Sequence, residues 1–138
     1  MKPLLVLLPL LVAVPAAAGE LDLEITGTLP GRDVYVALYD TPAGFAATDA
    51  THARLRRIVH AADRSVHLRF TGLAPGRYAV TAYSDRNGNH RLDSNFLGMP
   101  TEPYGFSRDA RSRFGAPGFA QAAFGIDSGR TAQLIHLQ

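Results

Sequence analysis

Apolar residues recur at every second position in several segments of this chain, and that period decides what it can fold into. Leu21, Leu23 and Ile25 alternate with Asp22, Glu24 and Thr26; Val34, Val36 and Leu38 alternate with Asp33, Tyr35 and Ala37; Val66, Leu68 and Phe70 alternate with His67 and Arg69. Every second residue of a strand shares one face, so each segment reads as a half-buried strand. In Arg77 to Ser84 both faces are apolar, which predicts a central strand. The first two segments, joined through Leu29-Pro30-Gly31, read as an antiparallel hairpin. Pro75-Gly76 reads as a type II turn. Ile58 to Ala61, Gln121 to Ile126 and Thr131 to Leu137 complete a set of about seven strands, with almost no helix. The expected fold is all-β: a single antiparallel β-sandwich, immunoglobulin- or transthyretin-like, with a long ordered loop. Its expected core is Leu21, Leu23, Ile25, Val34, Val36, Leu38, Val66, Leu68, Phe70, Tyr78, Val80, Phe124, Ile135 and Leu137.

The first 18 residues follow a different rule. Lys2 precedes an apolar run from Leu4 to Val14, too short to span a bilayer, and Ala16-Ala17-Ala18 supplies the small residues of a cleavage site. The reading is a signal peptide over residues 1–18, cleaved before Gly19, and one domain over residues 19–138. The expected location is the periplasm or the medium. No later segment is apolar for long enough to span a membrane. The chain has no Cys, so disulfides and thiolate metal sites are excluded. Its formal net charge is +2, and nearly all the basic residues are Arg. The clusters Arg54/Arg56/Arg57 and Arg108/Arg111/Arg113 are too small for a nucleic-acid-binding face, so no nucleic-acid partner is expected.

Asp85 to Gly118 is long, irregular and rich in Gly, Pro and Asn. It carries Phe96, Leu97, Met99, Tyr104, Phe106 and Phe114, followed by Phe119, and these side chains are expected to fold back over the sheet. At its start stands Asp85-Arg86-Asn87-Gly88-Asn89-His90-Arg91-Leu92-Asp93. Oxygen-bearing side chains at alternate positions are what calcium needs. Asp85, Asn87 and Asn89 fit the first three ligand positions of an EF-hand loop. Arg91 falls where a backbone carbonyl is used, and Asp93 where a ligand acts through water. The glycine is Gly88 rather than the residue before Arg91, and Phe96 stands where a closing Glu belongs. Asn95 or Glu102 could supply the missing oxygen. Calcium is therefore the candidate cofactor, with Asp85, Asn87, Asn89, Arg91 and Asp93 as its site. The same letters also spell a turn in which the carboxylates only accept backbone amides.

Other chemistries have less to stand on. His60, His67, His90 and His136 show no helical pairing for zinc. No Ser lies in a Gly-x-Ser-x-Gly turn. No catalytic residue is assigned, and the chain is not read as an enzyme. The role expected is an exported binding or scaffold domain. The alternatives are a carbohydrate-binding module using Tyr35, Tyr39, Tyr83 and Tyr104, or a hydrolase using Asp85, Asp93, Glu102 and Asp109. The expected partner is an unknown ligand, a cell-envelope glycan or a protein, and the chain is expected to be a monomer.

Several runs carry a resemblance: Tyr83-Ser84-Asp85-Arg86-Asn87-Gly88-Asn89 with Leu92-Asp93; Gly98-Met99-Pro100-Thr101-Glu102-Pro103-Tyr104-Gly105-Phe106-Ser107; and Phe114-Gly115-Ala116-Pro117-Gly118-Phe119. Together they resemble domain-of-unknown-function family 2141, small exported bacterial proteins, over essentially the whole chain after the leader. The resemblance implies a periplasmic or secreted β-sandwich and supplies no activity. Asp85, Asn87, Asn89 and Asp93 also look like the calcium loops of some adhesin sandwich domains. Those loops usually add an acidic residue where Ser94-Asn95 stands here.

Overall fold

The computed structural model describes residues 12–13, 17–47 and 50–138. Most of the expected leader, residues 1–11 and 14–16, lies outside the described residues. Among the described residues eight strands form two sheets. These are β1 (Gly19–Thr26), β2 (Arg32–Tyr39), β3 (Leu55–Ala61), β4 (Ser65–Leu73), β5 (Gly76–Ser84), β6 (Tyr104–Phe106), β7 (Phe124–Ile126) and β8 (Arg130–His136). One sheet runs β4-β1-β8. The other runs β3-β2-β5-β6, with β7 also paired to β5. The inward faces of both sheets share one core that includes Leu21, Leu23, Ile25, Val34, Val36, Leu38, Phe70, Val80 and Ile135. The all-β sandwich expected from the period-two pattern is the architecture observed. Of the expected core, only Leu68 is partly rather than fully buried.

The expected β1–β2 hairpin does not form. β1 pairs antiparallel with β4 and parallel with β8, whereas β2 pairs with β3 and β5. The segment between them crosses from one sheet to the other. Its amides leave the local turn: Gly27 and Thr28 donate to the Arg64 carbonyl, and Leu29 donates to Ser84 Oγ. Gly27 turns there with φ +79°, and a Cβ would stand 2.6 Å from the Leu137 carbonyl oxygen, so only glycine fits. Alternation marks a buried face in either arrangement and cannot say which strand is the neighbour.

The central place of β5 is as expected, and its two apolar faces have separate partners. Tyr78, Val80 and Ala82 enter the main core. Ala79 packs on the outer face with Ala37, Tyr39, Phe45 and Ala122. Two short helices cover that face. α1 (Pro42–Ala46) is capped by Thr41, whose Oγ1 accepts the Gly44 amide at 3.1 Å, and carries Pro42 in its first turn. α2 (Phe119–Ala122) occupies part of what reads in sequence as a strand from Gln121, and β7 begins only at Phe124. The Pro75-Gly76 reading also changes. Gly76 has no positive φ and begins β5, while Gly72 in β4 takes φ +68°.

Candidate functional site

β5 ends at Ser84, and the polar loop starts where the sheet still holds the chain. The Ser84 amide donates to the Pro103 carbonyl and the Asp85 amide to the Asp33 carbonyl, both at 2.9 Å. Asp85 is thereby drawn under the loop, 2 % exposed. Its Oδ1 accepts the Gly88 amide and its Oδ2 the His90 amide, each at 2.8 Å. Burial pushes its carboxyl up, but the amides of His90, Gly88, Asn87 and Asn89 outweigh burial and hold it below the usual carboxylate range.

The asparagines repeat this device on alternate residues. Asn87 Oδ1 accepts the Asn89 amide at 3.1 Å, and Asn89 Oδ1 accepts the Arg91 amide at 3.2 Å. Each is a side chain closing a turn on its own backbone two residues on. Their NH2 groups converge on Asp93: Asn87 Nδ2 lies 2.6 Å from Asp93 Oδ2, and Asn89 Nδ2 lies 2.8 Å from both Asp93 oxygens. Arg91 Nε stands 4.0 Å from Asp93 Oδ1. The side chains of Asp85, Asn87, Asn89 and Asp93 thus belong to one hydrogen-bonded coil.

His90 is the residue the sequence undervalued. An EF-hand loop needs glycine at its sixth position for a sharp turn. Counted from Asp85 that position is His90, and its backbone takes φ +66°. The left-handed turn is made without glycine there, and Gly88 supplies another at φ +75°. The His90 ring is held from below, Nδ1 hydrogen-bonded to the Tyr35 hydroxyl. Tyr35 in turn stacks on Tyr83, its cross-strand partner, with centroids 5.0 Å apart.

Glu102 sits apart from the coil and closes it. The residue is 4 % exposed. Its Oε1 accepts the Arg86 amide at 2.8 Å and its Oε2 the Asp93 amide at 3.0 Å. The sequence offered Glu102 and Asn95 as spare oxygen donors, but both are engaged elsewhere. Asn95 Oδ1 accepts the amides of Leu97 and Met99 at 2.9 and 3.0 Å. Asp109 does not join the group; its carboxylate takes the amide and the Nδ1 of His136 on β8. Among the described residues, no three His, Cys, Asp or Glu side chains are grouped to hold a metal.

The expected aromatic flap is corrected in part. Phe106 and Phe119 pack against the outer-face cluster around Phe45. Phe96 is 95 % exposed and Phe114 90 %, with Leu97 and Met99 also exposed. Asn95 explains the difference at the tip: it ties the backbone from Asn95 to Met99 into a closed turn, which turns Phe96 and Leu97 outward. The four tyrosines named for sugar stacking form no common platform. Tyr39 is buried and Tyr35 and Tyr83 cover one another.

The family model described as "Uncharacterized protein conserved in bacteria", domain-of-unknown-function family 2141, matches residues 30–133. The chain belongs to this family. The match to family 2141 takes in the whole polar loop, Glu102 and the strands that anchor them. No curated protein and no solved structure matches the chain. Among the described residues no helix is long and apolar enough to cross a membrane.

Proposed function

We propose that this family 2141 chain is an exported, non-catalytic binding or scaffold domain whose Asp85–Asp93 loop takes up calcium. What carries the reading is the coil itself. Oxygens of Asp85, Asn87 and Asn89 recur on alternate residues, Asp93 faces the two amides, and His90 supplies the left-handed turn an EF-hand requires. The donor set fits a hard cation. It contains oxygen only, and a carbonyl oxygen that accepts one amide keeps a second lone pair for an ion. Calcium would be held by Asp85, Asn87, Asn89 and Asp93, with the Arg91 carbonyl as the backbone donor. It would replace the contacts that the Asn87 and Asn89 amides now make to Asp93. Glu102 stays a brace, because it reaches the coil from outside, through the amides of Arg86 and Asp93. Two carboxylates and several neutral oxygens suit the weak end of the range, a Kd of about 0.1 to 1 mM, as in extracellular calcium modules. The backbone amides on the Asp85 and Glu102 oxygens speak against either carboxyl serving as the general acid or base of a hydrolase.

Thermal melts in calcium and in chelator test this. At 10 mM calcium such a site adds about 1.4 to 2.7 kcal/mol, and the midpoint should rise by roughly 5 °C or more. Asp93→Asn should abolish the rise. Superimposable melts for the unaltered chain would leave the loop a turn and nothing more.

A further inference from the structure

The two sheets are joined along one side of the sandwich and open along the other. On the joined side Tyr104 in β6 and Gln138 beyond β8 exchange backbone hydrogen bonds at 3.1 and 3.0 Å, and Asp109 takes the His136 amide. On the other side β3 ends one sheet and β4 the other, and among the described residues no strand pairs with their outer edges. β4 is interrupted there by the left-handed backbone of Gly72 and by a shift of register against β1. β3 is seven residues in unbroken register with β2. The Asp85 amide goes to the Asp33 carbonyl, so β2 turns its odd-numbered backbone groups to β5 and its even-numbered ones to β3. By that alternation the N–H and C=O groups of Arg56, Ile58 and His60 face the open edge. Such a row is a template for another strand. A second copy running antiparallel about a two-fold axis at Ile58 would set donors against acceptors, and would bring two exposed Ile58 side chains together.

Arg57 stands in the way of that pairing. It lies opposite Val36, so it occupies a core-face position of β3, in line with Leu55 and Val59, which pack against the core. Its guanidinium carbon is 5.5 Å from the centre of the Phe70 ring on β4, and its Nη1 donates to the Arg56 carbonyl at 3.0 Å. One side chain thereby reaches across the gap between the sheets, covers the buried Phe70 and takes a carbonyl that a partner strand would need. We propose that Arg57 guards the β3 edge against pairing with a second copy of this chain. Pairing would have to free the Arg56 carbonyl and enclose an exposed guanidinium between the apolar faces of two edges, away from water. A charge that points inward from an edge strand blocks edge-to-edge association in this way.

Light scattering on the exported chain tests this, with chelator present so that calcium plays no part. The unaltered chain should remain a monomer as its concentration is raised. Arg57→Val removes the charge and sets a β-branched side chain in line with Leu55 and Val59, so its mass should rise with concentration towards that of two copies. Arg57→Met, long enough to keep Phe70 covered, should do the same and decides the matter where the valine variant does not fold. Arg56→Val removes an equal charge from the other face of β3, opposite Ala37, and should stay monomeric. Hydrogen exchange locates the contact: the amides of Arg56, Ile58 and His60 should gain protection in the associated Arg57 variant. Four results would overturn the proposal. They are Arg57 variants that fold and stay monomeric, equal association of Arg56→Val, association that leaves the three amides unprotected, and an unaltered chain that already pairs through them.

Discussion

The carboxylate of Glu102 holds Asp93 by its backbone, accepting the Asp93 amide at 3.0 Å while its other oxygen takes the amide of Arg86. One buried side chain therefore fixes both ends of the polar coil. Glu102→Gln keeps the shape but turns one acceptor into a donor that faces an amide. An unpaired buried group costs about 1 to 3 kcal/mol. Chemical denaturation should show that loss, and hydrogen exchange should show faster exchange at Arg86 and Asp93 than in the strands. Unchanged protection at both amides would remove Glu102 from this role.

Asp85 should give the domain an acid limb. Its folded carboxyl lies below the usual range, so its contribution is complete above the unfolded value of about 3.9. That contribution fades as pH falls through the lower folded value. Stability measured from pH 6 down to pH 2 should fall more steeply in the unaltered chain than in Asp85→Asn. Parallel curves would contradict it.

Ser107 is a second buried junction. Its Oγ donates to the Ala122 carbonyl at 2.6 Å and accepts the Val80 amide at 2.9 Å, which ties α2 to the central strand. Ser107→Ala leaves both groups unpaired and should destabilise by about 2 to 3 kcal/mol, read from the denaturant midpoint. Ser107→Gly should do no better, since the hydroxyl carries the effect. A loss under about 0.5 kcal/mol would indicate that water replaces it.

Gly105 marks where β6 approaches the other sheet. A Cβ there would lie 2.8 Å from Ile135 Cγ2 and 2.9 Å from the His136 carbonyl oxygen. Gly105→Ala should destabilise by about 1 to 3 kcal/mol through overpacking. Gly125→Ala, with nothing within 4 Å, should be close to neutral. Equal melting points for the two variants would show that β6 and β8 can separate freely.

The buried faces were readable because period-two alternation records burial directly: Leu21 to Ile25 and Val34 to Leu38 both enter the core. Pairing was not readable. β1 and β2 carry the same pattern whether they share a sheet or face each other across the core, and the bonds that separate them run to Arg64 and Ser84, far along the chain. In the loop, the letters showed that Asp85, Asn87, Asn89 and Asp93 would gather. They could not show that Glu102, sixteen residues from Arg86, would serve as a brace. The left-handed turn at His90 escaped because glycine is the usual mark of that conformation. The aromatic content of the loop argued for burial, but Asn95 closes the hairpin locally and leaves Phe96 outside.

Calcium binding is tested most directly by a crystal structure of the chain grown with calcium, read between Asp85 and Asp93. A calcium site requires density there with oxygens at about 2.3 to 2.6 Å, and the Asn87 and Asn89 amides turned away from Asp93. Empty density, with both amides still donating to Asp93, would contradict it.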